Sequence, residues 1–354
     1  MTHPSSRTPT VCAQQDALGK FARALLVGHG ASVDHARIVV DHLIEAETMG
    51  LRSHGMIRVP QYLADIASGE IDPKATPHFE RSPPCRASVD GGKGFGQVVG
   101  QAMADEAARL ATEAGISFVV GRHMGHTGRI GAYARSIARR NAVGIVVCSG
   151  PRSGHFVSPF GGLAGRLATN PIAFAYPVGK GPPVVADFST SVAPEGVIRS
   201  LMNRGLDAPP GALRDAAGNP TSDPAALYRT PRGALQPLGG AFGYRGTALA
   251  ILVEVLGALF AEDDTDDPKR LGSNLAMIAI ASSASFVERA ERMGNYLRSS
   301  PPIDPQAPVM LPGEREQEAA MQIGEGPISI DLPTWEAMVA AAGDRIEIPP
   351  LLGD

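Results

Sequence analysis

Ala87-Ser88-Val89-Asp90-Gly91-Gly92-Lys93-Gly94-Phe95-Gly96-Gln97-Val98-Val99-Gly100 decides how this chain is read. A short strand, Ala87 to Asp90, runs into a cluster of glycines, and a helical apolar pattern opens at Gln97 and continues to Gly115. Strand, glycine turn and helix in that order are the setting in which a dinucleotide fingerprint, Gly-x-Gly-x-x-Gly, is sought. The third glycine stands at the wrong spacing. The stretch is therefore no standard Rossmann site, and it reads as a flexible turn between a strand and a helix.

Downstream the alternation continues, with a β-branched strand over Ile116 to Val120, a helix over Ile130 to Arg140 and a buried strand over Val143 to Cys148. Such alternation predicts an α/β layer. Upstream, Gln15 to Gly30 and Ser32 to Gly50 read as amphipathic helices, with Ser32 as N-cap and Gly50 as stop. Ser53 is placed to cap a third helix, which Pro60 must kink or restart. From Gly150 to Gly240, glycine and proline crowd the chain and only Ile172 to Tyr176 and Val184 to Asp187 stand out as strands, so long ordered loops are expected. Beyond them come an apolar helix (Gly246 to Phe260), an acidic loop (Glu262 to Asp267) and a strand (Leu275 to Ala281). A helix (Ser285 to Ser299), a proline-rich crossing (Pro301 to Pro312) and a last helix begun by Pro333-Thr334-Trp335 close the chain. The expected organisation is a helical module over 11–80, joined by helices from about 300–354, and an α/β region over 81–299 of two lobes.

Composition excludes several functions. A net charge of -4 without a long Lys/Arg run leaves no electrostatic footprint for nucleic acid or an anionic membrane. Apolar runs such as Thr247 to Val253 fall short of the ~20 residues of a membrane span. Cys12, Cys85 and Cys148 are far apart and show neither disulfide nor zinc spacing, which fits a reducing cytoplasm. The first ten residues are polar, lack the apolar core of a secretory signal and read as a frayed tail.

What remains is an inventory for acid/base chemistry on a small anion. His54, Arg58 and Tyr62 follow one another at i, i+4 and i+8, and Gly125-His126-Thr127-Gly128-Arg129 answers them further on. Each histidine has a plain alternative role, capping or bonding backbone beside a glycine. The nearby arginines favour function, because a planar guanidinium suits a carboxylate in two-point contact. His123 and His126 lack a third metal ligand, so no metal is expected. Asp187, ahead of Ser189-Thr190-Ser191, reads either as a ribose ligand or as a turn cap, the cap being the plainer reading.

Ser53-His54-Gly55 with Arg58 and Tyr62, Gly125 to Gly131, Thr169-Asn170-Pro171, Asp187 with Thr190-Ser191, Pro220 to Pro224 and Leu311-Pro312-Gly313-Glu314 occur in that order. Together they resemble the malate/L-lactate dehydrogenase family, which includes ureidoglycolate, sulfolactate and hydroxycarboxylate dehydrogenases. The resemblance implies an α/β protein with a non-Rossmann dinucleotide-binding fold, an NAD or NADP cofactor, a small carboxylate substrate, and a homodimer with active sites near the subunit interface. It implies that His126 is the acid/base and that His54, Arg58 and Tyr62 lie in the substrate and nicotinamide pocket. The cofactor would lie against His54, Gly128, Arg129, Ile130, Val185, Ala186, Asp187, Phe188, Ser189, Tyr244, Arg245, Asn274, Gly313, Glu314, Arg315 and Glu316.

The chain departs from its relatives at Tyr244-Arg245-Gly246-Thr247, where His-Lys-Gly-Tyr is usual, and at Gly196-Val197, where Gly-Lys is usual. The implied activity is interconversion of a 2-hydroxy acid and its 2-oxo acid. Reduction of a cyclic imino acid is the alternative, and a non-catalytic nicotinamide or metabolite sensor is a third reading.

Overall fold

The computed structural model describes residues 9–266 and 272–352; most of the polar tail and Asp267 of the acidic loop lie outside the described residues. In chain order the elements are β1 (Thr10–Ala13), α1 (Gln15–Gly28), α2 (Val33–Thr48), α3 (Arg58–Ser68), β2 (His78–Ser82), β3 (Arg86–Gly94), α4 (Gly96–Ala114) and β4 (Ile116–Met124). There follow α5 (Gly131–Ala138), β5 (Ala142–Ser149), β6 (Ile172–Tyr176), β7 (Val184–Phe188), α6 (Glu195–Asn203) and the two-residue strands β8 (Leu213–Arg214), β9 (Pro220–Thr221) and β10 (Ala234–Leu235). The last are α7 (Tyr244–Gly257), β11 (Ser273–Ala281), α8 (Ala284–Arg298), α9 (Glu314–Ile323), β12 (Ile328–Asp331) and α10 (Leu332–Ala342).

Seven strands form the main sheet in the order β2-β3-β4-β11-β5-β6-β7. Only β3 and β4 run parallel, joined by the crossover helix α4; every other neighbour pair is antiparallel. The strand-helix alternation read from the sequence is present, but it does not build a doubly wound parallel sheet, because β11 inserts between β4 and β5 from far along the chain. Met277 of β11 faces Val119 on one side and Val146 on the other. These residues are buried with Val99, Met103 and Leu110 of α4 and Tyr133 and Ile137 of α5 in the central core.

A second core gathers α1, α2, α3 and α10 against the β1-β12 pair, around Leu25, Leu43, Met338 and a Phe21-Trp335 ring contact of 5.6 Å. Phe95 and Val98, at the start of α4, belong to this second core, whereas Val99 and Met103 belong to the first. The first turn of α4 is thus the seam between the helical layer and the sheet. A third, smaller core, with Val157, Ile198, Leu213, Leu227 and Leu235, fills the region expected to be loops.

Ser32 caps α2 as expected, accepting from the His35 amide, and Gly50 ends it with φ +74°. Ser53 does not cap α3. Residues Arg52–His54 form a separate 3-10 turn, and α3 begins at Arg58, so Pro60 sits in the first turn. Its missing N–H would have had no partner within the helix there, and no kink is needed. The elements the sequence reading did not anticipate are β1, β2, α6, the β8-β10 sheet, α9 and β12.

Candidate active site

His126 stands just beyond the end of β4, on a loop still tied to β3 by the Gly125 amide donating to the Gly94 carbonyl at 2.9 Å. Gly96 opens α4 directly against this loop; a Cβ there would come within 2.5 Å of the His126 carbonyl oxygen. The glycine-rich turn is therefore a place of close backbone approach rather than a loose connection. Gly128, at φ +67°, serves the same end on the other side, where a Cβ would meet His42 Nε2 at 2.5 Å.

Tyr62 reaches this loop from α3. Its hydroxyl lies 2.8 Å from His126 Nδ1 and receives a 2.6 Å hydrogen bond from the Gln97 side-chain amide. The Gly128 amide also points at Nδ1, from 3.4 Å. His54 stacks on His126 with ring centroids 5.8 Å apart and planes 20° apart, its Nδ1 3.1 Å from the Ser53 hydroxyl. Burial, then Arg58, then His54 hold His126 well below the ordinary 6.5 of a histidine, so its imidazole is neutral. Burial first and Arg58 second lower His54 to about 3, and burial pushes the Tyr62 phenol up to about 12.

Arg58 supplies the positive charge of the corner. Its Nε donates to the Ser53 carbonyl at 2.7 Å and its Nη1 to Gln61 Oε1 at 2.7 Å. Among the described residues it has no carboxylate partner. The absence of a side chain at Gly196, where a Cβ would lie 3.2 Å from Nη2, leaves that edge of the guanidinium open. Arg58 and His126 line one pocket of about 630 Å³ with Ser53, Gln61, Asp65 and Arg199. Arg199 is already engaged, 2.6 Å from Glu195, which also accepts from the Tyr228 hydroxyl.

On the other side of Ser53 and His54 opens a cleft of about 800 Å³. Gly128 to Ile130, Val185 to Ser189, Gly313, Arg315 and Glu316 line it, with Leu51, Phe174 and Pro312 among its apolar walls. Asp187 accepts from the amide of Gly131, the first residue of α5, at 2.7 Å while still lining the cleft. Asp187 thus ties the first turn of α5 to the end of β7 instead of capping its own turn, and burial raises its carboxyl above the ordinary 3.8. Arg129 is fixed twice, by its amide on His42 Nε2 at 2.9 Å and by its guanidinium on Glu45 at 2.8 Å, and Arg135 pairs with the same carboxylate.

Four residues matched to cofactor contacts do not line this cleft. Glu314 is held by Arg298 and by the Leu311 amide, which donates to it at 2.6 Å. Asn274 is buried and donates to Asp263 at 2.9 Å. Tyr244 and Arg245 lie on an exposed aromatic surface, Arg245 over the Phe242 ring at 4.8 Å and Tyr244 edge-on to Phe160 at 6.1 Å. Helix α7, which begins with them, packs on β5 and β11. His123 turns to Asp90 at 2.9 Å, and no cluster of three metal-capable side chains occurs among the described residues.

The sequence reading missed Gln97, His42 and Glu45. His42 and Glu45 share a face of α2 at i, i+3, a weak local signal. Gln97 meets Tyr62 across 35 positions, and nothing local announces it. One helical stretch, Tyr244–Ala261, is long and apolar enough to cross a membrane and is 39% buried. Within it, Glu254 accepts from the buried Asn170 at 2.8 Å, tying the helix to the sheet.

A model of the malate/L-lactate dehydrogenase family matches residues 13–339. Hydroxycarboxylate dehydrogenase B of Escherichia coli O157:H7 is 28% identical over 344 residues, covering 92% of each chain. A Δ1-pyrroline-2-carboxylate/Δ1-piperideine-2-carboxylate reductase of Pseudomonas putida is 33% identical over 258 residues, 73% of each chain. The solved structure of malate dehydrogenase from Pyrococcus horikoshii OT3 superposes with a TM-score of 0.85 at 27% identity, covering 98% of this chain and 99% of that one. With the six motifs, the mixed α/β fold and this match over nearly its whole length, the chain belongs to the malate/L-lactate dehydrogenase family.

Proposed function

We propose that this protein is a nicotinamide-dependent oxidoreductase that interconverts a 2-hydroxy acid and its 2-oxo acid, with His126 as the acid/base. One observation carries the reading: a histidine whose Nδ1 is taken by Tyr62 shares a pocket with an arginine that has no carboxylate partner among the described residues, and a dinucleotide-sized cleft meets that pocket at Ser53. The family membership and the names of its relatives point the same way.

The cleft suits NAD or NADP. Its volume lies within the range of cofactor sites, apolar walls can sandwich flat rings, and Arg139 and Arg315 line it without carboxylate partners among the described residues. The first turn of α9 also reaches the cleft through Gly313 and Arg315, and a helix N-terminus favours phosphate oxygens. When bound, the nicotinamide gives or accepts the hydride.

The chain's own residues do the rest. Arg58 holds the substrate carboxylate with its open Nη2 edge, and His54 and Tyr62 fix the imidazole plane. His126 Nε2, the nitrogen not engaged by Tyr62, receives the hydroxyl proton during oxidation when the ring carries its own proton on Nδ1, and returns it during reduction. Bound carboxylate neutralises Arg58 and so removes one of the charges that keep His126 from protonating. A dimer, through the exposed face of α7, and a cytoplasmic setting, consistent with three free cysteines, complete the reading.

Reduction of a cyclic imino acid is a second reading favoured by one feature, the neutrality of His126. A protonated imine brings its own proton, and a neutral imidazole can still accept its N–H as a hydrogen bond. The test is loss of NADH and NADPH absorbance against a panel of 2-oxo acids and cyclic imino acids. Turnover of a 2-oxo acid supports the first reading, turnover of imines alone the second, and no turnover with intact cofactor binding sinks both.

A further inference from the structure

Gln97 is 1% exposed, and its Oε1 is buried without a hydrogen-bond partner. Its other amide atom, Nε2, donates to the Tyr62 hydroxyl at 2.6 Å. A phenol has a single proton, so the direction of each bond in the Gln97-Tyr62-His126 chain determines the next. With the Gln97 NH2 donating, Tyr62 must donate to His126 Nδ1, and the one proton of the neutral imidazole sits on Nε2. This arrangement agrees with the Gly128 amide also facing Nδ1. It is incompatible with an imidazolium, whose Nδ1–H would have to donate to Tyr62 and would force the phenol to donate elsewhere. The acceptor within reach is the same Gln97 side chain after a half-turn that exchanges its oxygen and nitrogen without changing its shape.

We propose that Gln97 is a positioning residue that selects the proton state of His126: with its NH2 toward Tyr62 the histidine is held neutral, and with its oxygen there the relay reverses and His126 can carry two protons. The proposal rests on His126 being the acid/base. It accounts for a buried amide whose oxygen is left unpartnered in one of two isosteric arrangements. In reduction, the Nε2–H bond of the imidazolium breaks as the product O–H bond forms, leaving a neutral ring with its proton on Nδ1; oxidation runs the same transfer backwards. The electron pair moves separately, as hydride between substrate and nicotinamide.

The other groups that set the His126 proton affinity are Arg58 and Tyr62 of α3, His54 of the preceding turn and His42 of α2. None of them is altered by Gln97→Met, so a shift in its pH profile reports the relay, whereas the carboxylate of Gln97→Glu also acts through space and only the part of its shift that needs the phenol reports the relay. The experiment measures kcat/KM against pH for wild type, Gln97→Met and Gln97→Glu, each also in a Tyr62→Phe background, with binding of NADH followed by fluorescence as the check on folding. Methionine fills the space but cannot accept, and the His126 limb is expected to fall by roughly one pH unit; glutamate accepts more strongly, and the limb is expected to rise. In the Tyr62→Phe background the methionine shift should vanish and the glutamate shift should shrink to what its charge exerts through space. Should Gln97→Met fail to bind NADH, the part of the Gln97→Glu shift that depends on the phenol decides. An unmoved limb in variants that bind NADH, a methionine shift that persists without the phenol, or a glutamate shift undiminished without it overturns the relay. Turnover retained in His126→Asn would instead overturn the acid/base reading itself, and the relay with it.

Discussion

The corner around His126 and the outer face of α7 are opposites. In the corner the polar side chains bond within the chain: Tyr62 with His126 and Gln97, His54 with Ser53, His42 with the Arg129 backbone amide. On α7, Ile251 and Leu252 are about half exposed, and Phe242, Leu259 and Phe260 beside them are equally open. Beyond Arg245 the exposed residues of the helix, Ala248, Ile251 and Leu252, are apolar, so that side gains little from water. The difference teaches that the hydrogen-bond network of the corner closes within one chain while the apolar face of α7 is left uncovered by it. A second copy of the chain is the proposed cover, and the corner and the face should therefore respond to mutation independently.

The strongest way to break that contrast is at His126. His126→Ala is expected to lower kcat by about 10²–10⁴-fold, the usual worth of a positioned general acid/base, while NADH binding changes little. Stopped-flow turnover beside fluorescence titration checks this. Equal losses in both would mean that the residue builds the cleft instead of moving a proton.

Arg58→Ala comes next. Losing a desolvated partner of the carboxylate should raise KM by roughly hundredfold and leave kcat less affected. Arg58→Lys should recover only part, because an ammonium cannot keep the Ser53 and Gln61 bonds while offering a second edge. A kcat loss without a KM change would place Arg58 with the proton relay and not with substrate.

On the other side of the comparison, Leu252→Glu should shift sedimentation toward the monomer without unfolding the chain, since the residue is about half exposed on this face. If monomers keep full activity, the corner is self-sufficient, as its internal partners suggest. If the variant still sediments as wild type, α7 is not the contact and its apolar face needs another explanation.

Sequence reading reached the corner more easily than the fold that holds it. Ser53 to Tyr62 and Gly125 to Ile130 each lie in a short string, so spacing alone brought their chemistry into view. The strands β4, β5 and β11 were visible as apolar runs, but their order was not, since nothing local says that β11 enters between the other two. Helix α9, Glu314–Ile323, gives no periodic signal in the sequence because it is largely polar and has no buried residue. The strands β8 to β10 are two residues long, too short for any period to show. Asn274 and Tyr244 show what a family match does not foresee: within one chain, packing takes them to a buried bond with Asp263 and an outer aromatic surface, away from the cleft.

The smallest expected effect concerns the floor beneath His54. Glu47 is buried, accepts from the Met56 amide at 2.7 Å, and lies so close to Gly55 that a Cβ there would meet its carboxylate at 2.1 Å. Burial raises its pKa from 4.5 to about 7, against a smaller opposing pull from the Met56 amide and Arg52 and a small further push from Asp331. The folded chain thus holds a proton at Glu47 that the unfolded chain has released, between about pH 4.5 and 7. Stability from this group is present below that window and is lost as pH rises through it. Glu47→Gln keeps an acceptor for Met56 and removes the charge. Its Tm should exceed that of wild type by a few degrees at pH 8 and converge with it at pH 5. The difference between the two melting curves cancels the opposite contribution of His42 and His54, whose depressed values favour folding as pH rises. Parallel curves from pH 5 to 8 would show that the carboxyl is ionised in place, and that the turn carrying His54 rests on a charge rather than on a neutral acid.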